Sequence, residues 1–455
     1  MMSARREKGP SGILRRALAN AGLLLTGKVA AGVMQLATFA LAARGLGLVE
    51  FGLFSMLLAQ IQLLTGLAAF QSNQAVIRYG VDHLRDGNVA AFQSLVKAGT
   101  ILDFGAALIA MMAALLLAPP IGQWLGWDAR LILAAQLIAP LALTNAIATP
   151  KGMLRLFGRF DLLTKHVAVT PAARLVGVGI AFAVGGALPL YLALWLLAGL
   201  VGALVALALG WREAARRALL TGFDLRMRRL GADNPGIWRF SILSNLHSSV
   251  LLIPSQLSTF LVGALLNPAA AGLFKVAREL GTGLAKPIDL LNQSVYPDVA
   301  RLVAGGEWAR LRRTVIHSGM IAAAAGGIIT LLILVLGRPL IVLVFGPEYL
   351  LALPVLALIS IATTIAVAVF AIDPALYAFG RPSAPLLTAV VANLVFVAIL
   401  VWRLGEDGLA GAGFAFIAAS LVTVLGSLFW FRCLLANAVS PTTDDRAPRI
   451  QAPSK

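Results

Sequence analysis

Apolar segments of about 20 residues alternate with short polar turns along most of the chain. A helix of this length and character spans the hydrocarbon layer of a bilayer, which is about 30 Å thick. The pattern therefore predicts an all-α polytopic membrane protein with about twelve transmembrane helices. The predicted spans are residues 20–43, 51–70, 97–118, 131–149, 164–186, 190–210, 238–265, 271–297, 314–336, 350–371, 383–402 and 408–431.

The composition agrees with this pattern, because 59% of the 455 residues are hydrophobic and only 13% are charged, which excludes a water-soluble domain. The net charge of +17 raises the possibility of a nucleic-acid partner. However, most of the 37 Lys and Arg residues fall in turns on one side of the predicted bundle. The other side holds only Arg44, Arg130, Arg338 and Arg403. This positive-inside bias predicts cytoplasmic N- and C-termini and explains the charge without nucleic acid.

Two short motifs occur twice. Gln35–Phe39 (QLATF) recurs as Gln256–Phe260 (QLSTF), and Gly52–Phe54 (GLF) recurs as Gly272–Phe274, at offsets of 221 and 220 residues. Chance similarity in a chain rich in Leu and Ala is the alternative to duplication. Because six spans separate the copies, duplication predicts two parallel six-helix lobes, with substrate bound between them near the middle of the membrane.

The chain is divided accordingly into five predicted segments. They are a basic cytoplasmic N-terminus at 1–19, an N-lobe at 20–210, a basic cytoplasmic linker at 211–237, a C-lobe at 238–432 and a disordered cytoplasmic tail at 433–455. The linker mixes arginines with apolar residues, as in an amphipathic segment lying on anionic lipid headgroups. A direct contact between the linker and a substrate phosphate is the alternative.

Predicted span 8 carries five charged residues, Lys275, Arg278, Glu279, Lys286 and Asp289. At about 100° per residue they all lie on one helix face. Charged groups in a span line a water-filled cavity or a packed interface, and three cations with two acids favour an anion-binding site. The alternative is a set of ion pairs along the helix, Lys275 with Glu279 and Lys286 with Asp289, which leaves Arg278 unmatched.

Other polar residues in the spans are candidates for the same cavity. Lys28 and Arg174 could extend its positive charge, although Lys28 could instead reach the membrane interface. Gln35, Asp103, His247 and Gln256 are further polar or ion-coupling candidates. A lone histidine such as His247 more often only hydrogen-bonds within a helix bundle.

Enzyme motifs are absent from the sequence, which has no HExxH, GxSxG or Walker A pattern. The single cysteine, Cys433, excludes an intrachain disulfide and a cysteine-based metal site. We therefore expect neither catalysis nor a bound cofactor or metal.

Several short motifs in both halves resemble the polysaccharide-transporter branch of the multidrug/oligosaccharidyl-lipid/polysaccharide (MOP) exporter superfamily, the Wzx-type flippases. The motifs are Ala43–Gly47 with Phe51–Phe54, Ile77–Gly80, Ala271–Lys275, Tyr296–Pro297, Phe345–Tyr349 and Tyr377–Arg381. Their order along the chain carries the resemblance, because each is degenerate alone.

The resemblance implies a bacterial inner-membrane flippase that works by alternating access. It would move an undecaprenyl-diphosphate-linked oligosaccharide from the inner to the outer leaflet for O-antigen, capsule or exopolysaccharide synthesis, with possible coupling to H⁺ or Na⁺. By analogy, the cavity would be lined by Lys28, Arg174, Lys275, Arg278 and Lys286. Glycosyltransferases and a polysaccharide polymerase would be partners.

Three other classes remain as alternatives. A multidrug-extrusion protein would share the fold but commonly uses an acidic site for cations. A membrane glycan polymerase or glycosyltransferase generally needs a larger segment outside the membrane. A major-facilitator transporter also has two parallel six-helix lobes, but its basic loop after span 2 is missing.

Overall fold

The computed structural model describes residues 10–222, 252–283, 298–381 and 383–439, together with residues 234, 236–239, 241, 245, 249 and 295. All regular elements in these ranges are helices, which confirms the all-α prediction. The first half contains α1 (Pro10–Ala68), α2 (Ser72–Arg85), α3 (Val89–Trp124), α4 (Ala129–Leu137), α5 (Ala148–Leu156), α6 (Phe160–Ala183) and α7 (Leu188–Arg216). The second contains α8 (Ser258–Leu265), α9 (Pro268–Gly283), α10 (Trp308–Val344), α11 (Leu353–Val367), α12 (Ile372–Ala378), α13 (Ser383–Asp407) and α14 (Leu409–Val439).

Nine helical stretches within the described ranges are long and apolar enough to cross a membrane. The first of them, Gly27–Arg85, contains both predicted spans 1 and 2. Predicted spans 7 and 8 lie partly outside the described residues. The remaining predicted spans each coincide with one stretch, so the multi-pass architecture is confirmed.

Two predicted boundaries differ from the structure. Spans 1 and 2 are joined by continuous helix, in which Gly47 (φ 70°, ψ 177°) changes the chain direction through a conformation that glycine tolerates. Predicted span 4 is divided into α4, a 3₁₀ turn at Ala139–Asn145 and α5. Pro140 in this turn cannot donate a backbone hydrogen bond, which favours the break.

The domain boundaries remain predictions. The linker was predicted to begin at residue 211 and the tail at residue 433, whereas α7 continues to Arg216 and α14 to Val439. Residues 223–233 of the linker and 440–455 of the tail lie outside the described residues.

The two halves meet where α1 packs against α9, and the repeated Gly-Leu-Phe motif lies in this contact. A Cβ atom on Gly52 would overlap the carbonyl oxygen of Pro268, and one on Gly272 would lie 2.9 Å from the carbonyl oxygen of Leu48. Both contacts relate residues 220 positions apart, so each copy of the motif packs against the segment that precedes the other copy. The duplication inferred from sequence therefore corresponds to a pseudo-two-fold interface.

Aromatic packing repeats with the same offset. Phe54 contacts Trp195 with ring centroids 5.2 Å apart, and Phe274 contacts Phe416 at 6.2 Å. The second pair occupies positions 220 and 221 residues after the first. Each half thus packs its Gly-Leu-Phe phenylalanine against an aromatic residue of a later helix.

A cluster of hydrogen bonds closes one end of the contact between the halves, the end predicted to face the exterior. Arg44 donates to the carbonyl oxygens of Val342, Leu343 and Val344, the last residues of α10. The Tyr349 hydroxyl donates to the carbonyl oxygen of Ala43 at 3.1 Å. A guanidinium satisfies helix C-terminal carbonyls and is attracted by their partial negative charge. We call this cluster the Arg44 contact.

Substituting Gly52 by Ala should destabilise the protein, because the added methyl group meets a backbone carbonyl that cannot rotate away. Overpacking of this kind costs about 1–3 kcal/mol. The matched control is Gly179→Ala in α6, where a Cβ atom has no neighbour within 4 Å. Thermal unfolding in detergent should show a lower Tm for Gly52→Ala only; equal Tm values would contradict the packing described here.

Candidate functional site

Three charged residues of α9 form a cluster at the contact between the halves. Lys275 Nζ lies 2.8 Å from Glu279 Oε1, and Arg278 Nη2 lies 3.9 Å from the same oxygen. Arg278 Nη1 also donates to Thr259 Oγ1 of α8 at 3.2 Å. Lys275 and Arg278 are both buried, at 7% and 8% exposure. The ion pair predicted between Lys275 and Glu279 is therefore present, and Arg278 shares its carboxylate.

Two aromatic rings hold cations from the two halves. Lys275 Nζ lies 4.4 Å from the ring centroid of Phe39, and the Arg174 guanidinium carbon lies 4.2 Å from that of Trp195. Phe39 and Trp195 contact each other at 5.6 Å. The four side chains therefore form a continuous stack that joins Lys275 of α9 to Arg174 of α6. Cation–π contacts of this kind contribute about 2 kcal/mol when desolvated.

The site has an excess of positive charge within the described residues. Lys275, Arg278 and Arg174 contribute three positive charges, whereas Glu279 contributes one negative charge. Arg174 Nε is buried and has no hydrogen-bond partner among the described residues. A buried donor without a partner costs free energy, so a ligand oxygen that accepted this hydrogen bond would be stabilised.

The charge is asymmetric although the surrounding frame is pseudo-symmetric. The positions 220 residues before Lys275 and Arg278 are Ser55 and Leu58. Both are buried in the first half and neither is charged. The second half therefore supplies the α9 cations, whereas the first supplies Arg174 and both rings of the stack.

The other predicted site residues are placed as follows. Lys28 is exposed on α1, eleven residues before Phe39, which corresponds to about 16 Å along a helix. Gln35 and Gln256 are half-buried. Lys286, Asp289 and His247 lie outside the described residues. The structure therefore brings together Arg174, Lys275, Arg278 and Glu279, and leaves Lys28 apart from them.

Asp103 has a structural environment in the first half. Its side chain is buried, and its Oδ2 accepts a hydrogen bond of 2.7 Å from the backbone N–H of Thr149. Thr149 is in the first turn of α5, where backbone N–H groups have no partner within the helix. Asp103 thus satisfies the start of the helix that follows the break in predicted span 4.

A second charged group ties α7 to the loop before α6. Glu213 is buried and lies 2.7 Å from Arg159 and 3.1 Å from Arg217. Arg159 also pairs with Asp161 at 2.8 Å, and this hydrogen bond, with that to Glu213, raises the pKa of the Arg159 guanidinium. These pairs hold the end of the first half next to the linker.

Sequence reasoning missed the partners of the cations. Phe39 and Thr259 both belong to the repeated QLxTF motif, so the repeat itself was a signal for them. Trp195 is apolar enough to pass as an ordinary residue of a span, and no pattern marked it. The role of Arg44 depends on backbone carbonyls 298–300 residues away, which no local motif reveals.

The helical halves, their pseudo-two-fold contact and the buried charges between them define a transporter fold of the alternating-access type. A multidrug resistance MATE family transporter of the MOP superfamily in its inward-facing conformation has a TM-score of 0.74 at 13% identity, covering 90% of this chain and 95% of that chain. The outward-facing conformation of such a transporter gives 0.60 at 14% identity, covering 93% and 96%. The lipid II flippase MurJ, inward closed, gives 0.68 at 11% identity, covering 91% and 90%. The MOP fold is therefore confirmed.

Sequence comparison gives the family. The model of the polysaccharide biosynthesis protein family matches residues 17–303, more than half of the chain. The inner membrane protein YghQ of Escherichia coli (strain K12) is 30% identical over 339 residues, which cover 74% of this chain and 95% of YghQ. This chain belongs to the polysaccharide biosynthesis protein family.

Substitutions of Asp103 should separate its structural role from a role in ion coupling. Asp103→Asn keeps an oxygen for the Thr149 N–H and should retain stability and transport. Asp103→Leu removes the acceptor and should destabilise the protein by about 1–3 kcal/mol. Thermal unfolding and a transport assay on both variants test this; an Asp103→Asn protein that folds normally but cannot transport would indicate coupling instead.

Proposed function

We propose that this protein is a flippase that moves an undecaprenyl-diphosphate-linked oligosaccharide from the inner to the outer leaflet of the bacterial inner membrane. The observation that carries the proposal is the buried, net positive cluster of Lys275, Arg278 and Arg174 between the halves. Lys and Arg bind phosphate oxygens through charge-assisted hydrogen bonds, which are strongest where water is excluded. The diphosphate is the part of such a substrate that this cluster fits.

The family and the fold support the same proposal. The matched family is described by polysaccharide biosynthesis, and MurJ is described as a lipid II flippase. YghQ is described as an inner membrane protein, which supports the same location here. The asymmetry of Lys and Arg supports cytoplasmic termini. Coupling to H⁺ or Na⁺, and contact with anionic lipids, glycosyltransferases or a polymerase, belong to the proposal as well.

Multidrug extrusion is the second candidate, because MATE transporters share the fold. A site for cationic drugs would be expected to have an excess of acidic groups. In the interface cluster the carboxylate, Glu279, is already paired with Lys275 and the excess charge is positive. An anionic substrate therefore fits these residues better.

Alternating access gives the Arg44 contact a role. The contact closes the predicted exterior end, as in an inward-facing state. Its hydrogen bonds must break for the halves to separate at that end. The Arg44 contact would then act as the exterior gate of the transport cycle.

Lys275→Ala and Arg278→Ala should each reduce flipping of a labelled undecaprenyl-diphosphate-linked glycan in proteoliposomes by at least about tenfold. Removing one partner of a buried charged contact costs about 2–5 kcal/mol. Both variants should fail to complement a flippase-deficient strain that the wild-type protein complements. The controls are Lys165→Ala and Arg130→Ala, which alter exposed cations outside the cluster.

Membrane insertion and elution of each variant as a single species on size exclusion must match the wild-type protein. Wild-type flipping in both cluster variants would overturn the anion-site proposal. Flipping lost equally in the two control variants would show that the effect is not specific to the cluster.

Arg44→Gln should favour opening at the exterior end, because Gln cannot satisfy several α10 carbonyls at once. Met56, which contacts Gly263 in the other half, can be replaced by Cys in a Cys433→Ser background. A membrane-impermeant maleimide added outside intact cells should label Met56→Cys faster with Arg44→Gln than without it. Arg338→Gln, at an exposed arginine of α10, is the control. Unchanged labelling with Arg44→Gln would exclude the gate.

A further inference from the structure

Glu279 is the acidic member of the α9 cluster, and one of its oxygens faces both cations. Oε1 lies 2.8 Å from Lys275 Nζ and 3.9 Å from Arg278 Nη2. A phosphate oxygen that bound both cations would need the position that this carboxylate oxygen occupies. Glu279 and an anionic ligand therefore compete for the same donors.

The carboxylate is also the most accessible member of the trio. The Glu279 side chain is 18% exposed, whereas those of Lys275 and Arg278 are each 9% exposed. The cations are further fixed from behind, Lys275 by the ring of Phe39 and Arg278 by Thr259. A ligand can therefore displace Glu279 more easily than it can move the cations.

We infer that Glu279 is an internal counter-anion, which pairs with Lys275 and Arg278 in the empty transporter, yields to the substrate phosphate and returns to drive its release. This inference rests on the proposed function. A transporter must bind its substrate only transiently, because a site with uncompensated buried cations would hold an anion too tightly to release it. An empty site without a counter-anion would also leave two charges buried and unpaired, which is costly.

The inference predicts that binding and turnover change in opposite directions in Glu279→Gln. The neutral amide competes less for the cations, so the Kd of a farnesyl-diphosphoryl-N-acetylglucosamine probe should fall by about tenfold, the effect of losing one charge-assisted competitor. The rate of flipping at saturating substrate should fall, because release becomes slow. A purely structural ion pair would weaken binding and turnover together.

The probe is used as radiolabelled ligand in equilibrium binding to the purified full-length protein, and flipping is measured in proteoliposomes. Glu279→Asp, which keeps the negative charge, should remain close to the wild-type protein in Kd. Glu406→Gln alters an exposed glutamate paired with Arg403 and should change neither quantity. An unchanged or higher Kd in Glu279→Gln would overturn the inference.

A second comparison covers the case in which Glu279→Gln fails to fold. Lys275→Met with Glu279→Gln removes the ion pair as a unit, so no unpaired charge of that pair remains. This double variant should bind the probe more tightly than Lys275→Met alone; equal or weaker binding would overturn the inference. If the wild-type protein does not bind the probe at all, the proposed function fails, whereas wild-type binding with an unchanged Kd in the Glu279 variants removes only this inference.

Discussion

The structure depends on how positive charge is kept between two apolar halves of a membrane protein. Isolated charges at this depth cost several kilocalories per mole, and aromatic faces offset part of that cost without removing the charge. The stack of Lys275, Phe39, Trp195 and Arg174 does this across the contact between the halves. A carboxylate partner alone would neutralise the cations, whereas a ring leaves them able to attract an anion.

The same stack links packing to charge. Phe39 belongs to a repeated motif and Trp195 to a repeated aromatic contact, so both rings have a structural reason to be where they are. The cations were placed on this frame without counterparts in the other copy, because Ser55 and Leu58 occupy the positions equivalent to Lys275 and Arg278. Structural symmetry and charge asymmetry are therefore separate properties of the chain, and the second distinguishes binding chemistry from scaffold.

Much of the fold was predictable because the bilayer imposes simple rules on length and hydrophobicity, and the duplication was visible in two short motifs. The face of α9 was also predictable, since helical periodicity places Lys275, Arg278 and Glu279 together. Helix continuity through Gly47 and the break before α5 were not, because both depend on local backbone geometry rather than on hydropathy. The partner of Asp103, the ring beneath Arg174 and the carbonyls bound by Arg44 arise from contacts between distant segments, which periodicity within one helix cannot specify.

The glycine contact at the centre of the molecule has a consequence for its origin. Gly52 meets Pro268 while Gly272 meets Leu48, so each surface contacts its own copy. A surface that pairs with itself about a two-fold axis is isologous, the arrangement found in homodimers. The chain thus contains a dimer interface within a single polypeptide, and covalent linkage has freed each side to diverge, one by acquiring lysine and arginine, without the partner surface having to change in the same way.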